Sequence, residues 1–291
     1  MTISISPCDA VIGAVIDEFS LTLIPDRVLI SEIEAALEQY GVLVFRDQHL
    51  SPRQQIEFSQ AFAPLEMTEL EKARLPGHPE IFVVGNVGNG LVSFAPAEPD
   101  GELEWHTDHI HHEVPARASL LYALEVPDEG GDTLFACMYH AYNSLDHEKQ
   151  DLCLKLEGIN SAEGLEHFLK RQSLGDTTSS LGGRQYQYIK RPLVRAHPTT
   201  GRRALYFGNQ ITIGIDGWED KDASRFIAEL TEHACQPAFR YRHQWRKGDA
   251  ILWDNRRVLH AGTPYDVQNS RRHMHRTTWR ETEPVRLVGK H

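Results

Sequence analysis

The sequence predicts a mainly β fold with flanking helices, arranged as a double-stranded β-helix, that is, a cupin-like jelly-roll barrel. Short apolar runs bounded by turn residues recur along most of the chain, and helical segments precede and interrupt them. No internal repeat or low-complexity tract appears. With 291 residues, of which 41% are hydrophobic and 24% charged, the chain suits one globular domain over residues 1–291.

The N-terminal elements follow from periodicity and capping residues. Apolar residues recur at helical spacing from Pro25 to Tyr40, and Gly41 stands where that helix should stop. The β-branched run from Val42 to Phe45 predicts a buried strand. Ser51 precedes a proline and has a glutamine three residues later, which is the pattern of a capped helix start. We expect these elements to be structural.

Strands and long connections dominate the rest of the chain. Helical patterns cover residues 139–157 and 220–235. The polar stretch 175–183 predicts a lid within residues 163–189, with disorder that has no function as the alternative. Strands are predicted at 81–84, 118–126, 132–135, 193–197, 204–207, 239–245 and 250–253, followed by a strand that ends near Trp279.

Charge and cysteine usage disfavour several classes of function. The formal charge is 30 minus 41, or −11, which disfavours a nucleic-acid surface because such binding neutralises phosphates. No apolar stretch is long enough to span a bilayer, and the N-terminus lacks the pattern of a signal peptide. No C-x-x-C pair occurs among the cysteines, which are Cys8, Cys137, Cys153 and Cys235. We therefore expect a soluble, cytoplasmic protein with reduced thiols that binds neither membrane nor nucleic acid.

Two distant segments predict a metal site. In Trp105-His106-Thr107-Asp108, an extended backbone would place His106 and Asp108 on one face, about 7 Å apart along the chain. His260 can supply a second imidazole. Two histidines and one carboxylate on one face of a metal leave coordination positions open on a non-haem iron(II).

The histidine content weakens any single motif. A His-x-Asp pair occurs by chance in a chain with 16 histidines, so the motif depends on its distant partner. His109, His111 and His112 are alternative ligands immediately downstream. We assign them instead to the surroundings of the site or to the surface, because only His106 pairs with Asp108 at i+2.

A basic cluster follows the second segment. Arg272, Met274 and Arg276 alternate onto one face of a predicted strand. An arginine there can bind a carboxylate through two hydrogen bonds beside the metal. The metal ligands and the arginine together predict a co-substrate that carries a carboxylate.

In these residues the chain resembles the taurine dioxygenase and 2,4-dichlorophenoxyacetate dioxygenase (TauD/TfdA) family of iron(II)- and 2-oxoglutarate-dependent oxygenases. The resemblance extends over nearly the whole chain and implies the jelly-roll fold. It implies Fe(II), 2-oxoglutarate and O2 as cofactor and co-substrates, and hydroxylation of a C–H bond with release of succinate and CO2. The matching motifs, in order, are Trp105-His106-Thr107-Asp108, Gly130-Gly131-Asp132-Thr133, Gly248-Asp249 with Trp253-Asp254-Asn255-Arg256 and His260, and Arg271-Arg272 with Met274-His275-Arg276.

The resemblance also implies roles for individual residues. His106, Asp108 and His260 would bind the iron. Thr133 and Arg272 would bind the distal carboxylate of 2-oxoglutarate. Because Asp108 occupies a ligand position, hydroxylation is expected rather than halogenation.

The substrate residues implied by the resemblance are Arg276 and Asn86. Arg276 would grip a carboxylate or sulfonate of a small anionic substrate, and Asn86 is a further candidate for a substrate contact. Residues 62–68 lack the histidine that taurine-specific members carry there, which disfavours taurine. The gap from His260 to Arg272 is one residue longer than the family pattern, so Arg271 is an alternative clamp.

Alternative functions remain open at this point. A tailoring oxygenase would desaturate or cyclise a specialised metabolite, with loss of two hydrogens instead of a gain of oxygen. A non-enzymatic metal- or ligand-binding barrel would form no succinate. Members of the family often form dimers or tetramers, so a homo-oligomer is a further expectation.

Overall fold

The computed structural model describes residues 3–67, 71–88, 103–171, 186–282, 285 and 288. Its helices are α1 Arg27–Tyr40, α2 Pro52–Gln60, α3 Met138–Asn143, α4 His147–Cys153, α5 Ala162–Arg171 and α6 Asp220–Ala234. Its strands are β1 Ser4–Pro7, β2 Ala14–Asp17, β3 Val42–Phe45, β4 Arg74–Leu75, β5 His78–Gly85, β6 Ala116–Glu125, β7 Thr133–Cys137, β8 Glu157–Asn160, β9 Ile189–Pro192, β10 Val194–Ala196, β11 Arg203–Leu205, β12 Thr212–Ile215, β13 Arg240–His243, β14 Ala250–Asp254, β15 Val258–Gly262 and β16 His273–Arg280.

Two sheets pack face to face around the main core. The larger has the strand order β1-β2-β3-β14-β6-β16-β5-β4, and the smaller has the order β13-β7-β15. Phe135 of β7 meets Trp253 of β14 across the interface, with ring centroids 5.6 Å apart. Burying such aromatic rings contributes roughly 1.5–3 kcal/mol each. The mainly β, jelly-roll prediction is confirmed.

The N-terminal helices cover the outer face of the larger sheet. Ile33 and Leu37 of α1 are buried in a second core with Trp279 of β16. The predicted stop at Gly41 is present, with φ 74°. The predicted capping box at Ser51 is also present, and its hydrogen bonds contribute about 1 kcal/mol to helix stability.

The helix predicted over 139–157 is wrong in its extent. Two short helices, α3 and α4, occupy most of the range, and only its last residue, Glu157, lies in strand β8. The break has a local cause: the Asp146 side chain accepts from Lys149 N at 2.7 Å and starts α4 afresh. Strand β8 forms because β9 and β12 pair with it on both sides, and these partners lie far along the chain.

The remaining predicted elements hold with small boundary changes. The hairpin β10–β11 and helix α6 form as expected. Of the lid predicted within residues 163–189, residues 163–171 belong to helix α5, and the polar stretch 175–183 lies outside the described residues. No helix in the described part of the chain is long and apolar enough to cross a membrane.

Candidate metal centre and co-substrate site

The three predicted ligands meet between the two sheets. His106 Nε2 lies 3.8 Å and His260 Nε2 lies 3.9 Å from Asp108 Oδ1. Ligand atoms of all three residues lie within 4.8 Å of one another. Among the residues that the structure describes, this is the one cluster of histidine, cysteine or acidic side chains with metal-site geometry.

Backbone pairing brings the histidines together. His106 and His260 form an antiparallel bridge, with His106 N donating to His260 O at 3.1 Å and His260 N to His106 O at 2.8 Å. The extended segment predicted through Asp108 is only partly right, because the bridge is a single residue and the chain turns at Asp108. The turn follows from Asn255, whose carbonyl oxygen accepts from Thr107 Oγ1 at 2.6 Å and whose side-chain oxygen accepts from Asp108 N at 3.3 Å.

Asp108 is oriented through both of its oxygens. Ser119 Oγ donates to Oδ2 at 2.6 Å, and Asn255 Nδ2 donates to Ser119 Oγ at 3.0 Å. Arg276 Nη1 donates to Oδ1 at 2.6 Å. Burial alone would raise the pKa of Asp108, but the charge of Arg276, together with the adjacent His260 and His106, holds it far below its usual range. The group is therefore a carboxylate at any physiological pH.

The imidazoles complete a donor set suited to a divalent ion. Burial, reinforced by the neighbouring His106, lowers the pKa of His260 well below its ordinary value, so the ring is neutral and able to bind metal. His106 Nδ1 lies 3.1 Å from the carbonyl oxygen of Glu104, which can fix the tautomer that leaves Nε2 free. Two imidazoles and one carboxylate fit iron(II) with open positions.

Glu104 adds a buried carboxyl group beside the ligands. Its Oε1 lies 3.7 Å from His106 Nδ1, and its Oε2 is buried without a hydrogen-bond partner. Burial raises the pKa of this carboxyl group. The sequence pattern gave no indication of this residue.

Arg272 has the environment of an anion-binding residue, whereas Arg271 does not. Arg272 is 3% exposed, and its Nε and Nη1 have no hydrogen-bond partner among the residues that the structure describes. Burial lowers its pKa to about 10, so it stays a cation at neutral pH. Arg271 is exposed and pairs with Glu125 at 2.7 Å. Burying a guanidinium whose N–H groups make no hydrogen bonds costs free energy, unless an anion accepts hydrogen bonds from them.

The glycine pair ahead of Thr133 shapes the turn next to Arg272. Gly130 and Gly131 have φ of 73° and 67°, and a Cβ at Gly130 would lie 2.2 Å from Pro264 O. A Cβ at Gly131 would lie 3.6 Å from Arg272 Cδ. Only glycine fits this left-handed, closely packed turn. It places strand β7, which starts at Thr133, beside the arginine.

Thr133 is buried, and among the described residues its hydroxyl has one hydrogen-bond partner. Trp245 Nε1 donates to Thr133 Oγ1 at 2.9 Å. Since the hydroxyl oxygen is already accepting, its proton is free to be donated elsewhere. Trp245 and Ser119 had no local signal in the sequence, while Asn255 lay inside a matched motif without an assigned role.

The two predicted substrate residues have different surroundings. Arg276 contacts Asp108, and its guanidinium carbon lies 4.9 Å from the centre of the Phe82 ring. Asn86 is engaged entirely with backbone: its Nδ2 donates to Val267 O at 2.9 Å and to Ser270 O at 2.8 Å. Its Oδ1 accepts from the backbone of the segment ahead of β16.

The downstream histidines pack on one another outside the ligand group. His109 stacks on His112 with centroids 4.4 Å apart, and His111 meets His112 edge-on at the same distance. Arg191 donates to carbonyl oxygens within 110–113 and so fixes this segment. Burial lowers the pKa of His109 and His111, with His111 at about 3.

Comparison with known proteins gives consistent matches over the whole chain. Residues 4–278 match the model of the taurine catabolism dioxygenase TauD, TfdA family. The (S)-phenoxypropionate/alpha-ketoglutarate-dioxygenase of Sphingobium herbicidovorans is 35% identical over 276 residues, covering 92% of this chain and 91% of the relative. The alpha-ketoglutarate-dependent 2,4-dichlorophenoxyacetate dioxygenase of Cupriavidus pinatubonensis is 34% identical over 289 residues, covering 96% and 98%. The crystal structure of AAD-2 in complex with Mn(II) and N-oxalylglycine matches with a TM-score of 0.79 at 28% identity, covering 98% of this chain and 100% of that chain.

Proposed function

Since the chain belongs to the taurine catabolism dioxygenase (TauD, TfdA) family, we propose that it is an Fe(II)- and 2-oxoglutarate-dependent dioxygenase. It hydroxylates a C–H bond of a small organic anion: substrate, 2-oxoglutarate and O2 give hydroxylated substrate, succinate and CO2. The observation that carries the proposal is the convergence of His106, Asp108 and His260 at one point. Both relatives described above are named as alpha-ketoglutarate enzymes.

The proposed mechanism assigns the residues to holding and orienting groups. His106, Asp108 and His260 would hold the iron from one side, while Ser119 and Asn255 keep the carboxylate fixed. Iron, when bound, supplies the redox chemistry by which O2 and 2-oxoglutarate oxidise the substrate. The protein contributes position and a dry surrounding.

The co-substrate would be held at its distal carboxylate. Arg272 offers free donors for a bidentate ion pair, and the Thr133 hydroxyl can donate a further hydrogen bond. Both side chains are buried, so these bonds form in a low dielectric. In this pairing the carboxylate would accept hydrogen bonds from Arg272 Nε and Nη1, which have no partner among the described residues.

The experiment that tests the function is an anaerobic titration of iron(II)-loaded protein with 2-oxoglutarate, followed by the visible charge-transfer band of the chelate. Arg272→Ala should raise the 2-oxoglutarate concentration for half-saturation about a hundredfold, since a buried charged pair loses one partner. Arg271→Ala is the matched control and should titrate like the wild type. A folded, iron-loaded wild type without the band would contradict the function and favour a non-enzymatic barrel.

The substrate class follows from Arg276 and the relatives. The two relatives above are named for phenoxyalkanoates, which are carboxylates. Arg276 lies beside the metal ligands, and its Nε has no hydrogen-bond partner, so part of its guanidinium is free for a substrate anion. We propose a carboxylate as the substrate, with a sulfonate as the second choice.

Succinate release across a panel of phenoxyalkanoates and sulfonates would identify the substrate. Arg276→Ala should raise its KM strongly and leave the 2-oxoglutarate titration unchanged. Equal changes in both, or in neither, would contradict a substrate role for Arg276. Product mass separates hydroxylation from desaturation, by a gain of oxygen or a loss of two hydrogens.

Two further proposals concern the protein as a whole. All four cysteines are free, which supports a reducing, cytoplasmic location. We propose one domain over residues 1–291, and a homo-oligomer that size-exclusion chromatography with light scattering would test.

A further inference from the structure

Asn86 joins strand β5 to the segment that carries Arg272. Its backbone N donates to Arg272 O at 3.0 Å, and Arg272 N donates back to Asn86 Oδ1 at 2.8 Å. Its two amide protons go to Val267 O and Ser270 O. The side chain therefore ties both ends of the segment 267–272 to the end of β5.

The neighbouring Gly85 allows this close approach. Gly85 has φ 131°, and a Cβ at this position would lie 1.9 Å from Arg272 O. No other residue type fits there without moving the backbone. Gly85 and Asn86 thus form one continuous contact with the backbone of Arg272.

Arg272 depends on this contact because its side chain has no anchor of its own. Within the described part of the chain its Nε and Nη1 lack hydrogen-bond partners, whereas the adjacent Arg271 is fixed by two hydrogen bonds to Glu125. The connection 263–272 between β15 and β16 contains no regular secondary structure. The direction of the Arg272 guanidinium is therefore set by its backbone and by packing.

We propose that Asn86 is a positioning residue for 2-oxoglutarate: it fixes the backbone of Arg272 and thereby aims the guanidinium at the distal carboxylate. This inference rests on the proposed function of Arg272. It differs from the substrate contact predicted for Asn86: both amide protons are engaged, and Oδ1 accepts one hydrogen bond, from Arg272 N. A positioning role also predicts that substitution of Asn86 weakens the binding of 2-oxoglutarate and leaves the binding of iron unchanged.

The test is the anaerobic charge-transfer titration of the iron(II)-loaded protein with two 2-oxo acids. Asn86→Ala should raise the half-saturating 2-oxoglutarate concentration about tenfold, which is the usual scale for residues that orient a binding group. Pyruvate lacks the distal carboxylate, so its titration should be the same in the variant and the wild type. Equal weakening of both acids would mean general damage and would overturn the proposal.

Asn160 provides a matched control. Asn160 is buried, whereas Asn86 is half-buried, but its Nδ2 likewise donates to two backbone carbonyl groups, those of Gly158 and Ile189, and it lies in the separate sheet β12-β8-β9. Asn160→Ala should lower the melting temperature without changing the 2-oxoglutarate titration. A similar shift in both variants would overturn the assignment to Asn86.

A double variant separates this inference from the proposed function. In an Arg272→Ala background, Asn86→Ala should cause no further change in the 2-oxoglutarate titration, since the group it positions is gone. If Asn86→Ala does not fold, Asn86→Asp is the second variant. It keeps a side-chain oxygen that accepts from Arg272 N and removes the two hydrogen bonds donated to Val267 O and Ser270 O. It should raise the half-saturating 2-oxoglutarate concentration as well. A wild type that shows no charge-transfer band would contradict the proposed function. A wild type that shows the band, with an Asn86→Ala variant that titrates identically, would contradict only the role of Asn86.

Discussion

Two buried clusters in this protein are built from the same residue types, yet only one of them suits a metal. Around Asp254, Arg256 forms a bidentate pair with Nε–Oδ1 and Nη2–Oδ2 distances of 2.8 Å, and His197 Nε2 lies 3.1 Å from Oδ2. Around Asp108, Arg276 reaches one oxygen at a single point. Both carboxyl groups have a lowered pKa because arginine and histidine outweigh the effect of burial.

The two clusters differ in whether the histidine nitrogens are close enough to the carboxylate to form hydrogen bonds with it. In the Asp254 cluster both carboxylate oxygens are hydrogen-bonded by Arg256 and His197, so the carboxylate is closed to a further cation. In the Asp108 cluster the two imidazole nitrogens lie 3.8 and 3.9 Å from the carboxylate oxygen, too far for hydrogen bonds. Ligand atoms that converge without forming hydrogen bonds to one another leave a space that a metal cation can occupy. A closed cluster contributes stability, and an open one contributes a binding site.

The largest expected effect comes from changing the open cluster. Asp108→Asn removes the only anionic ligand, so 2-oxoglutarate-dependent succinate formation should fall about a thousandfold or more, equivalent to roughly 4 kcal/mol. Circular dichroism should show a folded protein. Activity within tenfold of the wild type would mean that Asp108 is not a ligand and that the comparison fails.

The same substitution in the closed cluster should act on stability instead. Asp254→Asn leaves Arg256 buried without its counter-charge and should cost about 3–5 kcal/mol in the free energy of unfolding, measured by urea denaturation. Asp216→Asn breaks an exposed pair with Lys190 and, as the control, should cost less than about 1 kcal/mol. A loss of iron binding by folded Asp254→Asn protein would show that the two clusters are not separate.

Local sequence patterns predict the ligands but not the difference between the clusters. The motif from Trp253 to Arg256 contains both Asp254 and Asn255, and nothing in their spacing assigns one to each cluster. Only the fold brings Asn255 against Asp108 and turns Asp254 toward His197. Likewise, Ser119, which orients Asp108, lies on β6, and β6 pairs with strands β14 and β16, more than 100 residues away in the sequence.

The secondary structure shows the same limit. Helices α1 and α2 follow from their own periodicity and caps, and α6 follows from its periodicity; these are local properties. Strand β8 does not, because its stability depends on partners at Ile189–Pro192 and Thr212–Ile215. The choice between Arg271 and Arg272 also needed burial, which differs sharply between two adjacent residues of one type.

The pH dependence of stability sharpens the comparison further. Because the folded-state pKa of Asp254 is depressed, its contribution to stability is fully present above the ordinary carboxyl pKa of 3.8 and is lost as pH falls through the depressed value. The stability gap between the wild type and Asp254→Asn should therefore be constant near neutrality and narrow in acid. Urea titrations of both proteins from pH 7 downward measure it, and a gap that widened in acid would contradict the assignment.

The smallest expected effect concerns the anchor of the open cluster. Ser119→Ala removes the 2.6 Å hydrogen bond to Asp108 Oδ2 but leaves all three ligands, so iron affinity should fall only about tenfold. Ser59→Ala is the control, since Ser59 is equally buried and bonds Thr277 at 2.7 Å under helix α2. It should change the melting temperature and leave the iron titration unchanged. If Ser119→Ala bound iron as tightly as the wild type, the metal and Arg276 would be sufficient to orient Asp108, and the hydrogen bond from Ser119 would make no contribution to iron binding.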